Sequence, residues 1–274
     1  MNNEVIIRPK SRWWHLDVNE LWDFRDLFYF LSWRDVKIKY KQTVIGAVWA
    51  VFKPLVSMVV LSIFFGRLAH LPSDNIPYPI FVYSGLLFWT LFSSGLGDAT
   101  DSFTSNERII TKVYFPRIIL PVSSIFTNLV DFAIAAVILV GLMGYYRFAP
   151  SAAVIIWFPV LIILTVLTAL GVGLLFGSLN VKYRDVRFLL GFFMQMLIFI
   201  TPVIYPVSIV STKWRWILGL NPMSGVIDTA RAVLLKTHPI DFGLLGISLL
   251  SLIIYFILGY FYFRKVERFF ADVI

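Results

Sequence analysis

The chain has 274 residues and a formal net charge of +8, with 59% hydrophobic and only 15% charged residues. No soluble domain of this size hides so much apolar surface, which excludes a soluble globular protein. The absence of cysteine excludes disulfides, thiol catalysis and cysteine-based metal sites.

Residues 1–43 form a cytoplasmic N-terminal segment. Asp17, Glu20, Asp23 and Asp26 make it too long and too polar for a signal peptide. Leu21, Phe24, Leu27, Phe28 and Leu31 recur at helical spacing beside Asp23, Arg25 and Asp26. The pattern predicts an amphipathic helix, lying on the inner membrane surface or docked over the spans, and the two readings are compatible. Arg34, Lys37, Lys39 and Lys41 then lead directly into an apolar segment. Cations at such a junction hold it in the cytoplasm, against anionic headgroups.

A hydrocarbon core of about 30 Å takes about 20 apolar residues in a helix. Six segments qualify, at about 45–66, 80–97, 118–144, 152–177, 188–205 and 242–263. The fifth is short and interrupted by Pro202 and Pro206. An even count puts both ends on one side. Of the 24 lysines and arginines, 17 lie in the segments assigned to the cytoplasm and six, Arg231 among them, in the segments assigned outside, which makes the first side the inside. This distribution explains the positive charge by membrane orientation rather than by nucleic acid. The six-span domain covers 44–264 and a cytoplasmic tail 265–274. Between spans five and six, Asn221-Pro222 is a helix start, with Asn as cap and Pro at the first helical position. Met223, Val226, Ile227, Ala230 and Leu234 line one apolar face, expected in the outer leaflet or folded back into it.

The search for chemistry finds no catalytic residues. There is no phosphate-binding GxxxxGK[ST] loop. His15, His70 and His238 are far apart, so no metal site is expected. Gly173 and Gly177 form a GxxxG that reads as close helix packing. Asp131, beside Asn128, is the one ionisable group well inside a span. It is either part of a polar pathway or a hydrogen-bonded carboxyl that ties helices together. The loops 105–117 and 179–190 mix charge with Tyr114, Phe115, Tyr183 and Phe188, which suits docking into a partner's groove.

Several stretches carry a family resemblance: WRDVKIKYKQTVIGAVWAVFKP, GLLFWTLFSSGL, NERIITKVYFPR, GSLNVKYRDVRFLLGFFMQMLIFITPVIYP, LNPMSGVIDTARAVLL and FRKVERFFADVI. In this order and spacing the chain resembles the membrane subunit of polysaccharide-exporting ABC transporters, the branch with O-antigen, capsule and teichoic-acid exporters. The resemblance implies an all-α membrane protein of six spans, with an N-terminal interface helix and short re-entrant helices between spans five and six. It also implies a homodimer that binds no cofactor itself and pairs with two copies of a separate ATPase carrying ATP and Mg. The implied cargo is a polysaccharide on a polyprenyl-diphosphate lipid. By the same resemblance, Glu107, Arg108, Lys112 and Tyr114 belong to a coupling helix seated on the ATPase. Lys182, Arg184 and Asp185 belong to a second contact, and Phe24, Phe28, Arg34, Asp35 and Lys37 to the interface helix.

Aromatic residues make up 17% of the chain. Rings stack on the CH faces of sugars, so Trp49, Phe88, Trp89, Phe92 and Tyr205 are candidate conduit lining, with Asp131 on the same pathway; packing against lipid or other helices is the competing role. Two rival functions remain: an ABC permease for a smaller lipid or drug, and a channel without an ATPase.

Overall fold

The computed structural model describes residues 18–41 and 46–270, and these fold into helices joined by turns. The expected start of the membrane domain at residue 44, His15, the segment before Val18 and the tail beyond Phe270 lie outside the described residues.

Helices α1 (Val18–Asp23) and α2 (Arg25–Lys41) precede the first long apolar helix. Leu31 is buried, and Leu21, Phe24, Leu27 and Phe28 pack half-buried against the core. Phe28 meets Phe126 edge-on at 5.6 Å. The opposite side exposes Trp22, Tyr29, Phe30 and Trp33. One stripe of α2 therefore docks on the bundle, while its outer rings suit a headgroup layer.

Helix α3 (Gly46–Leu61) continues through a wider π-type turn, Ser62–Leu68. Then come α4 (Tyr78–Ser105), α5 (Glu107–Ile110), α6 (Ile119–Tyr145) and α7 (Val154–Lys182). Further along come α8 (Val186–Ile200), α9 (Arg215–Gly219), α10 (Pro222–Leu235) and α11 (Phe242–Val266). Five described helical segments, containing α3, α4, α6, α7 and α11, are long and apolar enough to cross a membrane.

The expected fifth span differs. Its helix α8 has 15 residues, about 22 Å at 1.5 Å per residue, short of a hydrocarbon core of about 30 Å. Pro202 lacks an N–H and disfavours helical backbone at Thr201, which is extended at ψ 139. The segment nonetheless follows the length of α4. Arg187 pairs with Asp101 near one end of α4, and the Ile204 carbonyl accepts from Tyr78 at the other.

Helix α4 is the axis of the fold, packed by α3, α6, α7 and α10. Gly173 and Gly177 give α7 its close approach to α4: a Cβ on Gly173 would stand 2.7 Å from that of Ala99. The GxxxG is thus a packing device, as its spacing predicts. Gly171 faces α11 as tightly, where an added Cβ would lie 2.6 Å from the Phe256 Cα.

Helix α10 starts as expected, with the Asn221 side chain accepting from Met223 N at 3.1 Å and Pro222 at the first position. It does not keep a single buried face. All 14 residues are buried, packed by α4, α7 and α11.

Candidate coupling and translocation site

A cavity of about 560 Å³ opens between α2, α3, α4 and α6. Its polar wall comes from two helical stripes. Thr90, Ser94, Asp98 and Asp101 follow one another on α4 at intervals of four, four and three; Asn128 and Asp131 face them from α6. Lys39 and Lys53 add two ammonium groups, and Trp49, Pro54, Leu87, Leu91 and Phe132 supply an apolar wall. Asp131 is therefore not alone. The second span runs on to Ser105 rather than ending near 97, and this places Asp98 and Asp101 on the same helix. The signal was the polar stripe itself, legible at period 3.6 once the helix is given its full length.

The polar groups are interlinked. The Asp131 carboxylate accepts from the Lys39 ammonium at 2.5 Å and from the Tyr40 hydroxyl. Asn128 donates to Asp98 at 2.8 Å, and Asp101 pairs with Arg187 at 3.2 Å. Burial, followed by the hydrogen bond and negative charge of Asp131, pushes the Tyr40 phenol well above its usual range, so it stays protonated. Asp131 thus ties α2 to α6, the helix-tying role its position allowed, while also facing an open cavity.

At the end of α4, the segment from Glu107 to Tyr114 exposes Glu107, Arg108, Lys112, Val113 and Tyr114, while Ile110 and Phe115 are buried beneath. The buried pair anchors a short platform that presents charge and a ring outward. Lys182, Tyr183, Arg184 and Asp185 are exposed on the α7–α8 turn. Both loops are fastened to the bundle. Arg34 of α2 donates to Asn106 at 2.9 Å, Asn180 donates to Asp101 at 3.4 Å, and Arg117 stands over Phe270 at 5.6 Å and donates to the Glu267 carbonyl. Arg34 also bonds Asp35 at 2.8 Å, and Lys37 lies over Trp33. The 106–117 loop is thereby joined both to α2, through Arg34, and to the end of α4.

The candidate lining rings separate. Trp49 is 53% exposed and stands in the cavity wall. Phe88, Trp89 and Phe92 are 0%, 5% and 3% exposed and pack inside the protomer, with Phe88 wedged edge-on between Phe132 and Phe158. In this arrangement these three are core rings, because α4 is surrounded. Tyr205 is half-buried and donates to the Ile200 carbonyl at 2.7 Å, closing the frayed end of α8. The outward rings are elsewhere: Phe52, 5.5 Å from Trp49, Phe64 further along the same helical segment, and Phe188, Phe192, Phe193 and Phe199 on α8.

Arg231, expected among the external cations, is instead 2% exposed inside the bundle. Its guanidinium donates to the carbonyls of Pro202 and Val203 at 2.6 Å each, to Phe81 at 3.3 Å and to Tyr205 at 3.4 Å, and lies 3.6 Å over the Phe81 ring. The prolines that end α8 leave backbone acceptors without helical donors, and one forked cation satisfies them.

The described residues thus form a bundle with five helices long and apolar enough to cross a membrane and two exposed, charged connecting loops. The pattern of the ABC-2 type transporter family matches residues 26–235, and the chain belongs to that family of transport membrane subunits. It is 26% identical over 249 residues to the O-antigen export system permease protein RfbA of Klebsiella pneumoniae, covering 91% of this chain and 95% of that one. It is 29% identical over 219 residues to RfbA of Myxococcus xanthus, covering 79% and 83%. With the polysialic acid transport protein KpsM of Escherichia coli it shares 22% over 214 residues, covering 75% and 80%.

Proposed function

We propose that the chain is the conduit subunit of an ATP-driven exporter that carries a polysaccharide, held on a polyprenyl-diphosphate lipid, across a bacterial cytoplasmic membrane. The observation that carries this reading is the platform at Glu107–Tyr114, exposed to a partner yet hydrogen-bonded through Asn106 to α2 and continuous with cavity-lining α4. A separate ATPase, binding ATP and Mg, docks there and on Lys182–Asp185. Its closure shifts α2 and α4 as one unit.

Two copies of the chain face each other across α3 and α8. Only 11% of the α3 window is buried against 78% for α4, and Leu190 alone is buried on α8. The rings on those two helices line the seam. Residues 201–205, held by Arg231, complete a sixth crossing and leave both termini inside. The test is reconstitution with a cognate ABC ATPase subunit: ATP-dependent movement of a glycan-bearing polyprenyl diphosphate across the membrane of proteoliposomes. Transport without any ATPase would replace this reading with a channel.

A further inference from the structure

The cavity between α2, α3, α4 and α6 combines features seldom met together inside an apolar bundle. A half-exposed indole, Trp49, forms one wall, and hydrogen-bonding groups from Ser94, Asp98, Asn128 and Asp131 form another. At about 560 Å³ it lies within the range of about 300–1,000 Å³ typical of ligand pockets. Its charge is balanced from within. Lys39 is paired with Asp131, Asp101 is neutralised by Arg187, and Asp98 faces the same space as Lys53. Among the described lining residues no excess of positive charge is left for an anion. A diphosphate needs several N–H donors and net positive charge to offset its lost hydration. Here it would face three carboxylates.

A neutral polyhydroxylated ligand meets the opposite situation. Carboxylate oxygens, even when salt-bridged, keep lone pairs for hydroxyl donors, the Asn128 amide both donates and accepts, and a sugar's CH face lies on the indole. We propose that this cavity is a subsite for neutral sugar rings of the exported chain and that it refuses the anionic carrier headgroup. The inference rests on the polysaccharide reading above and adds which part of the cargo the site grips. Refusal here is as important as grip. A headgroup held at this position would compete with the glycan, and balanced acidic lining prevents that at no cost to hydroxyl binding.

The floor of the cavity gives the subsite a link to the ATPase. Lys39 and Tyr40 belong to α2, and the same helix bonds the coupling platform through Arg34 and Asn106. A shift of α2 that separates Lys39 from Asp131 alters the charge balance that defines the ligand.

The test uses the full permease–ATPase complex in nanodiscs, with binding read by thermophoresis. The probes are a polyprenyl diphosphate bearing a short neutral oligosaccharide, the same diphosphate without sugar, and the free oligosaccharide. The wild type is expected to prefer the glycan-bearing carrier, with the free oligosaccharide competing. Stacking of a base on an aromatic ring is worth about 1–3 kcal/mol, and for a sugar the low end corresponds to about fivefold in affinity. Trp49→Ala should therefore weaken the glycan-bearing carrier about fivefold and leave the bare carrier unchanged, and Trp49→Phe should restore most of the loss. Equal weakening of both carriers overturns the inference in favour of a headgroup site. An unchanged preference in Trp49→Ala, or no preference in the wild type, also overturns it. The export reading fails on a different readout, the absence of ATP-dependent carrier movement in proteoliposomes, so the two failures are distinguishable.

Discussion

Replacing Arg231 by Met removes the donor to four carbonyls while nearly keeping the side-chain volume. The two shortest bonds, to Pro202 and Val203 at 2.6 Å, carry most of the effect. A hydrogen bond to a charged group contributes about 1.5–3 kcal/mol, and an abandoned buried acceptor costs about 1–3 kcal/mol. Met also escapes the desolvation of a buried guanidinium, which offsets part of the loss. The expected net destabilisation is about 2–4 kcal/mol, roughly 30-fold to 1,000-fold in the folded-to-unfolded ratio. Lys should fall between, because a point ammonium cannot fork to several acceptors. Gly85→Ala should act in the same direction from the other side, since the added Cβ would stand 2.7 Å from the Arg231 Nη2. The assay is thermal loss of the monodisperse peak on size-exclusion chromatography in detergent, alongside membrane abundance. Wild-type thermal stability in Arg231→Met would refute the reasoning and mean that the break after α8 is held by other groups.

Three further outcomes follow from the same geometry. Reversing charge at Glu107 and Arg108, both exposed, should uncouple ATP hydrolysis from export without lowering membrane abundance; unchanged export in cells would move the coupling site elsewhere. Hydrogen bonding from His238 to Asp228 at 3.3 Å, with Asp74 near, pushes the imidazole pKa up from 6.5 to about 9. The raised value means this pair stabilises fully below pH 6.5 and is lost as pH rises through about 9, so thermal stability should decline over that window and His238→Gln should flatten the profile. Trp89→Ala with Phe92→Ala should lower folded abundance before it slows export, because emptying buried ring sites costs about 3–5 kcal/mol each; normal abundance with slow export would return both rings to the lining.

What the sequence alone determined was whatever depends on near neighbours along the chain. The Asn221-Pro222 start, the Gly173–Gly177 approach, the mixed exposed loops and five of the six apolar segments follow from capping, small-residue spacing and hydrophobic length. Even the shortness of α8 was written in Pro202 and Pro206, although a mainly apolar stretch of 18 residues, 188–205, hid how early the helix stops.

Which way each ring faces was decided only by the tertiary structure. A helix in lipid is apolar all round, since hydrocarbon and protein interior attract the same side chains, so Phe88, Trp89 and Phe92 carry no mark telling core from conduit. Trp49 and Phe88 are chemically alike in the sequence, yet one stands in an open wall and the other has no exposure. Asp98, Asn128 and Asp131 form one network only because α2, α4 and α6 pack together, with Lys39 donating to both Asn128 and Asp131. Arg231 reads as an external cation by position and charge, and becomes the clamp of a broken helix because carbonyls from α4 and the α8 break converge on it from 26 to 150 residues away. Pairings at that separation leave no local periodicity. They exist only once the helices pack.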